Sequence, residues 1–217
     1  MSKIGVIFDL DGVIVDTAKY HFLAWKNLAD SLGITFTETD NELLKGVSRV
    51  RSLEILLGLG KVQLPEAEKQ KFLISKNDEY LSYITKMDAS EILPGVNALL
   101  DNLDQQGIKY VLGSASKNAP LILKQVGLLN RFAGIVDGNS VSKAKPDPEV
   151  FLIGAQKLGL PPENCIVFED AIAGVEAANT AKMVSVGIGD KQTLSQAHFN
   201  FNNVTEIPTN FFNQFLN

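Results

Sequence analysis

A single cysteine in 217 residues, Cys165, leaves no internal disulfide to be formed and fits a reducing, cytoplasmic setting. It opens an apolar run, which marks a buried structural thiol rather than a nucleophile. No stretch approaches the roughly 18 consecutive apolar residues that a bilayer-spanning helix requires, so no membrane partner is expected. Basic side chains are in the minority, 20 Lys and Arg against 25 Asp and Glu, for a formal net charge of −5. That balance speaks against a general affinity for nucleic acid. Repeats and low-complexity tracts are missing as well. Met1-Ser2-Lys3-Ile4 leads straight into a strand pattern, without the layout of a signal peptide.

What the chain does have is 45% apolar residues, enough for one substantial core and a smaller second unit. Short β-rich runs at 4–8, 110–113, 135–136, 166–168 and 183–186 alternate with helical patterns. This is the signature of an α/β fold with a Rossmann-like, doubly wound, mainly parallel sheet. Pro94 is expected at a first helical position, ahead of a stripe of Val96, Leu99, Leu100 and Leu103 that Gly107 closes. Pro148 opens another helix, with Phe151, Ala155 and Leu158 inward and Gly159 as its stop. The alanine-rich segment 171–181 can lie close against the sheet. Beyond Gly189 a last strand and a helix are expected to close the core.

Between the first run and Pro94 the strand signals vanish. Residues 17–86 read as helices. Phe22, Trp25, Leu28, Ala29 and Leu32 form one stripe before Gly33. A second segment runs through Leu53, Ile55, Leu56 and Leu57, and a third through Phe72, Ile74, Tyr80, Leu81 and Ile84. The expected organisation is an α/β core of residues 1–15 and 88–217 with a small helical cap, 16–87, inserted after the first strand. Trp25 is assigned to the core of the cap, without chemistry. A monomer is expected, because the cap already covers the site and no extended heptad pattern appears.

The most informative segment is Val6-Ile7-Phe8-Asp9-Leu10-Asp11-Gly12. An apolar run ends in carboxylates at i and i+2, which an extended backbone points to the same side. Two such charges at a strand tip call for a cation or a reacting group to offset their repulsion. Ligands of open parallel sheets bind beyond the carboxyl ends of the strands. The polar groups expected there are Asp9 and Asp11, Ser114, then Glu169 and Asp170.

In this order the residues resemble the haloacid dehalogenase-like superfamily: Asp9-Leu10-Asp11-Gly12-Val13 for its first motif, Ser114 for the second, Lys145-Pro146 for the third and Glu169-Asp170 for the fourth. Within it the chain is similar to the β-phosphoglucomutase family. That resemblance rests on Asp16-Thr17-Ala18-Lys19-Tyr20-His21-Phe22, on Lys45-Gly46-Val47-Ser48-Arg49 in the cap, and on Ser114-Ala115-Ser116-Lys117-Asn118.

The residues read the same way alone. Asp9 is placed to attack phosphorus and Asp11 to act as general acid and base; a metal site without a covalent step, or a turn, is the alternative for the pair. Glu169 and Asp170 add negative charge, and all-oxygen ligation beside phosphate points to Mg²⁺, unless they form a solvated acidic loop. By resemblance the ligands are the Asp9 carboxylate, the Asp11 backbone carbonyl, Glu169 and Asp170.

Ser114 can hydrogen-bond the transferring group and Lys145 can neutralise its charge. Lys143 competes with Lys145; Pro146 and Pro148 beside Lys145 favour the latter. Arg49 offers a fork for a second phosphate, with Ser116, Lys117 and Asn118 below. Backbone N–H groups at Gly46 and Val47 can approach a sugar closely. His21 and Lys76 look like the family's cap pair, against a structural histidine and a solvated lysine. Thr17 is expected to cap the first cap helix and bond near Asp11. Val50 and Arg51 depart from the family pattern and are expected to add positive charge near the entrance.

The resemblance implies a cytoplasmic, Mg²⁺-dependent mutase. It would interconvert β-D-glucose 1-phosphate and glucose 6-phosphate through phospho-Asp9 and β-glucose 1,6-bisphosphate. A sugar-phosphate phosphatase on the same scaffold is the alternative.

Overall fold

In the computed structural model, strand β1 (Gly5–Phe8) lies at the centre of a sheet ordered β3-β2-β1-β4-β5-β6, every pairing parallel. Residues 3–216 are described; Met1, Ser2 and Asn217, the ends of the expected core segments, lie outside them, as does the reading made at the extreme N-terminus. The other strands are β2 (Tyr110–Gly113), β3 (Ile135–Val136), β4 (Cys165–Glu169), β5 (Val184–Ile188) and β6 (Phe199–Phe201). Alternation along β1 splits the core. Val6 and Phe8 join Tyr110, Leu112, Ile166 and Phe168 on one face, while Ile7 joins Val111 and Val167 on the other. Helices α5 (Val96–Gln105) and α6 (Ala119–Gln125) cover the first face, and α7 (Glu149–Leu158) and α8 (Ile172–Thr180) the second.

Two expectations here need correction. Pro94 is not the first helical residue: it and Gly95 form a turn, and α5 begins at Val96 after Gly95 at φ +88°. The final helix is a short 3-10 turn, Phe211–Phe215, whose Phe211 and Phe212 pack against Phe168.

Between β1 and α5 come four α-helices, α1 (Ala18–Ser31), α2 (Glu38–Glu42), α3 (Arg49–Leu59) and α4 (Glu66–Ile84), and a 3-10 turn, Ala89–Glu91. Their own apolar cluster gathers Trp25, Leu28, Phe36, Leu53, Leu56 and Leu73. Helix α2 has no apolar stripe; a reciprocal Thr37–Asp40 capping box starts it. The chain enters and leaves this insertion side by side. Asp16 N donates to Glu91 O at 3.0 Å, Leu93 N donates to Ile14 O at 3.0 Å, and Val15 bridges Ile92. On α4 the buried positions are Leu73, Lys76, Tyr80 and Ile84. Ile74, expected inward, is 62% exposed, so a lysine occupies the stripe in its place. Among the described residues no helix is long and apolar enough to cross a membrane.

Candidate active site

Strands β2, β1 and β4 are neighbours, so the residues at their carboxyl ends converge. Asp9 follows β1 and donates its N–H to Phe168 O at 2.9 Å; Ser114 follows β2 and donates to Val136 O at 2.9 Å. Glu169 ends β4 and is fully buried. Its carboxylate occupies the space a Cβ on Gly174 would fill, and accepts from Ala171 N at 3.0 Å. Lys145, from the loop between β3 and α7, reaches in and donates to Asp9 Oδ1 at 2.6 Å and to Glu169 Oε1. Burial alone would lower the Lys145 ammonium, but the Asp9 and Glu169 charges outweigh it and raise it. Lys143, its competitor, is exposed and pairs with Asp147 at 3.4 Å.

After Asp9 the chain folds into a tight turn. Ile14 N and Val15 N both donate to Leu10 O, and Gly12 N donates to Val15 O. Gly12 has φ +77°, and the Asp170 carboxylate lies where its Cβ would be, so glycine answers both the turn and the close approach. The turn brings Asp11 over the cavity. Burial, then the Asp9 charge, push the Asp11 carboxyl up to about 7, against the pull of Lys145 and Lys76. Thr17 stands at the N-cap of α1 but makes no side-chain cap, contrary to expectation; the expected bond at Asp11 is present, the Thr17 hydroxyl donating to Asp11 Oδ1.

Carboxylate oxygens of Asp9, Glu169 and Asp170 all lie within 4.8 Å of one another. Burial raises both Glu169 and Asp170, with Asp9 adding its repulsion to each. One ammonium among three carboxylates, two of them buried and Asp170 half-buried, leaves negative charge uncompensated. An all-oxygen set of this kind suits a hard divalent cation such as Mg²⁺.

Facing this cluster is a cavity of about 530 Å³ whose far wall comes from the insertion. His21, Lys76 and Arg49 line it, with Lys45, Gly46 and Val47 at one side and Ala115, Ser116, Lys117 and Asn118 at the floor. The floor is ordered by its own turns: Ser116 N donates to Ser114 Oγ at 3.0 Å, and Asn118 N to Ser116 Oγ at 3.3 Å. Arg49, the first residue of α3, follows the Ser48 cap. Among the described residues it has no carboxylate at ion-pair distance, and burial lowers its guanidinium.

Some expected roles look different in place. Gly46 has φ +70°, and a Cβ there would meet Ala171 of the core rather than open space. Lys45 is paired with Glu42 at 2.8 Å. Arg51 is exposed, pairs with Glu54 at 3.0 Å and is not among the residues that line the cavity, whereas Val50 is. Asn77 went unnoticed in the sequence. Its Oδ1 accepts from Asn118 Nδ2 at 3.1 Å, and its position beside Lys76 was the available signal.

The model of the haloacid dehalogenase-like hydrolase family matches residues 5–182. The chain belongs to that family. Among curated haloacid dehalogenase-like relatives, it is 45% identical over 191 residues to the beta-phosphoglucomutase of Bacillus subtilis, covering 87% of this chain and 84% of that one. It is 32% identical over 178 residues to a phosphorylated carbohydrates phosphatase of Thermotoga maritima, covering 81% and 80%. The crystal structure of beta-phosphoglucomutase from Clostridium difficile superposes with a TM-score of 0.94 at 39% identity, over all of this chain and 97% of that one.

Proposed function

We propose that this chain is a β-phosphoglucomutase, a cytoplasmic monomer interconverting β-D-glucose 1-phosphate and glucose 6-phosphate, with residues 16–87 acting as the cap. The observation that carries the reading is the cavity's charge pattern. Lys145 is tied up in the acidic cluster, while Arg49 and Lys117 line the same cavity and, among the described residues, are in no ion pair. A phosphatase needs to grip one phosphate; a mutase must hold two. The 45% identity to a beta-phosphoglucomutase supports the same choice.

Asp9 is the nucleophile. Its carboxylate oxygen attacks phosphorus, the bond from phosphorus to the sugar oxygen breaks, and Asp11 gives its proton to that oxygen. In the other direction Asp11 takes the proton of the attacking sugar hydroxyl as phospho-Asp9 is cleaved. A carboxyl near 7 can do both at neutral pH. Ser114 and Lys145 hold the transferring phosphoryl group. Arg49, Ser116, Lys117 and Asn118 hold the other phosphate, with Gly46 and Val47 against the sugar. His21 and Lys76 join the closed cap to the ligand. The Asp9 and Asp170 carboxylates, Glu169 and the Asp11 carbonyl would hold Mg²⁺, which supplies charge neutralisation at the phosphoryl oxygens. β-Glucose 1,6-bisphosphate is the intermediate that reorients between half-reactions.

The test supplies β-glucose 1-phosphate, Mg²⁺ and a trace of the bisphosphate, and compares glucose 6-phosphate with free phosphate. Predominant phosphate release overturns the mutase in favour of a sugar-phosphate phosphatase.

A further inference from the structure

Lys76 is 2% exposed, yet among the described residues no carboxylate stands at ion-pair distance from its Nζ. Its partners are rings. Nζ lies 4.7 Å from the centroid of Trp25 on α1 and 4.7 Å from that of Tyr80, one turn further along α4. The third neighbour is Nδ1 of His21 at 3.0 Å, and the His21 ring stacks on Tyr80 at 4.1 Å between centroids. All four side chains line the cavity.

We propose that Trp25 and Tyr80 are positioning residues whose ring faces hold the Lys76 ammonium charged and directed into the cavity. The choice of rings over an acid has a physical reason. A carboxylate would stabilise a buried ammonium but cancel its charge toward an anionic or hydroxyl-rich ligand. An aromatic face attracts the cation through its quadrupole and leaves the net charge intact. The seat is needed because the surroundings oppose the charge. Burial first, then Arg49 on α3, lower Lys76 to about 7, while Asp11 and Glu79 pull it upward. His21 contributes as a neutral acceptor, since burial drives its imidazole well below the usual range. What the ammonium does for a ligand rests on the sugar-phosphate reading of the cavity; the aromatic seat itself does not.

Trp25 is the only tryptophan, so fluorinated tryptophans can be incorporated at that one position. Mono-, di- and trifluoro-indole progressively weaken the face potential while nearly conserving shape. The first readout is the ¹⁵Nζ resonance of Lys76 in the ligand-free protein, assigned by its loss in Lys76→Met and followed against pH. Its midpoint is expected to fall step by step, by about one pH unit across the series, with thermal unfolding unchanged. The KM for β-glucose 1-phosphate at pH 8 is expected to rise in the same order, up to about tenfold. Tyr80→Phe, which keeps the face, should leave the midpoint in place, and Tyr80→Leu should lower it. A flat fluorination series, or a Tyr80→Leu midpoint equal to wild type, overturns the proposal. The ligand-free titration does not depend on which reaction the enzyme performs, so a failed mutase assay would leave it standing.

Discussion

Asn118 donates its side-chain amide to Asn77 Oδ1 at 3.1 Å, so the N-cap of α6 in the core is bonded to α4 of the insertion beside the cavity. A net hydrogen bond of about 1 kcal/mol shifts an open-closed equilibrium roughly fivefold. In Asn77→Ala, turnover should persist, because no reacting group is lost. The share of substrate released as free phosphate should rise severalfold, as the site spends longer open to water. Parallel assays of glucose 6-phosphate and phosphate measure that ratio; an unchanged ratio would show that the bond does not hold the site shut.

Gly46 and Gly33 allow a controlled comparison. Both sit at nearly the same positive φ, +70° and +68°, so alanine at either costs about 1 kcal/mol of backbone strain. Only at Gly46 does the added methyl meet another group, the Ala171 methyl of the core at 2.7 Å. Gly33→Ala should lower stability and leave kcat/KM intact. Gly46→Ala should lose at least about tenfold in kcat/KM at similar thermal stability, because approach of the cap is obstructed. Equal activity in the two variants would show that the Gly46–Ala171 approach does not govern turnover.

The pair Asp9 and Asp11 stood out in the sequence through its i, i+2 spacing after an apolar run, although β1 ends at Phe8 and the turn at Gly12, not strand alternation, places Asp11. Lys145 could be picked from Lys143 through its flanking prolines. The Lys76 seat was hidden. A hydropathy stripe along α4 favours Ile74, and nothing local announces that two rings, one of them on another helix, will make burial of Lys76 tolerable. Thr17 was half legible. Its expected bond near Asp11 is made, but the hydroxyl is then committed to that carboxylate and does not cap α1. Asn77 and Asn118 are separated by 41 residues, and no local rule pairs them.

Lys145 is the only cation bonded to the Asp9–Glu169 pair among the described residues. Lys145→Met keeps most of the volume and leaves two buried carboxylates facing each other. Such a loss costs about 3–5 kcal/mol, less where a proton can replace the ammonium. Urea unfolding of the metal-free variant should therefore show a large deficit at pH 8 and a smaller one at pH 5. A deficit independent of pH would mean that packing, not charge, is what Lys145 supplies.

The acidic cluster also predicts how metal and protons compete. Burial first holds Glu169 and Asp170 above the ordinary carboxylate range. Between that range and the raised one the metal-free folded protein therefore binds more protons than the unfolded chain, and its stability falls as pH rises across this interval. A divalent cation takes the protons' place. The rise in thermal midpoint on adding saturating Mg²⁺ should be small near pH 5 and grow steadily toward pH 8. An increment that does not change with pH would place the bound ion elsewhere.

Asp11 must be ionised to accept the sugar proton, so kcat/KM should climb as pH rises through about 7. Thr17 donates to the carboxylate that has to form. A hydrogen bond to the charged form favours ionisation, and its removal disfavours it. Thr17→Val preserves the branched shape and deletes the donor. Its rising limb should move upward by about one pH unit, since a charge-assisted bond of roughly 1.5 kcal/mol corresponds to that shift. Activity near pH 6.5 should then fall close to tenfold, while above pH 9 the variant approaches wild type. A lower plateau with an unmoved limb would mean that Thr17 only orients Asp11 and does not set its charge.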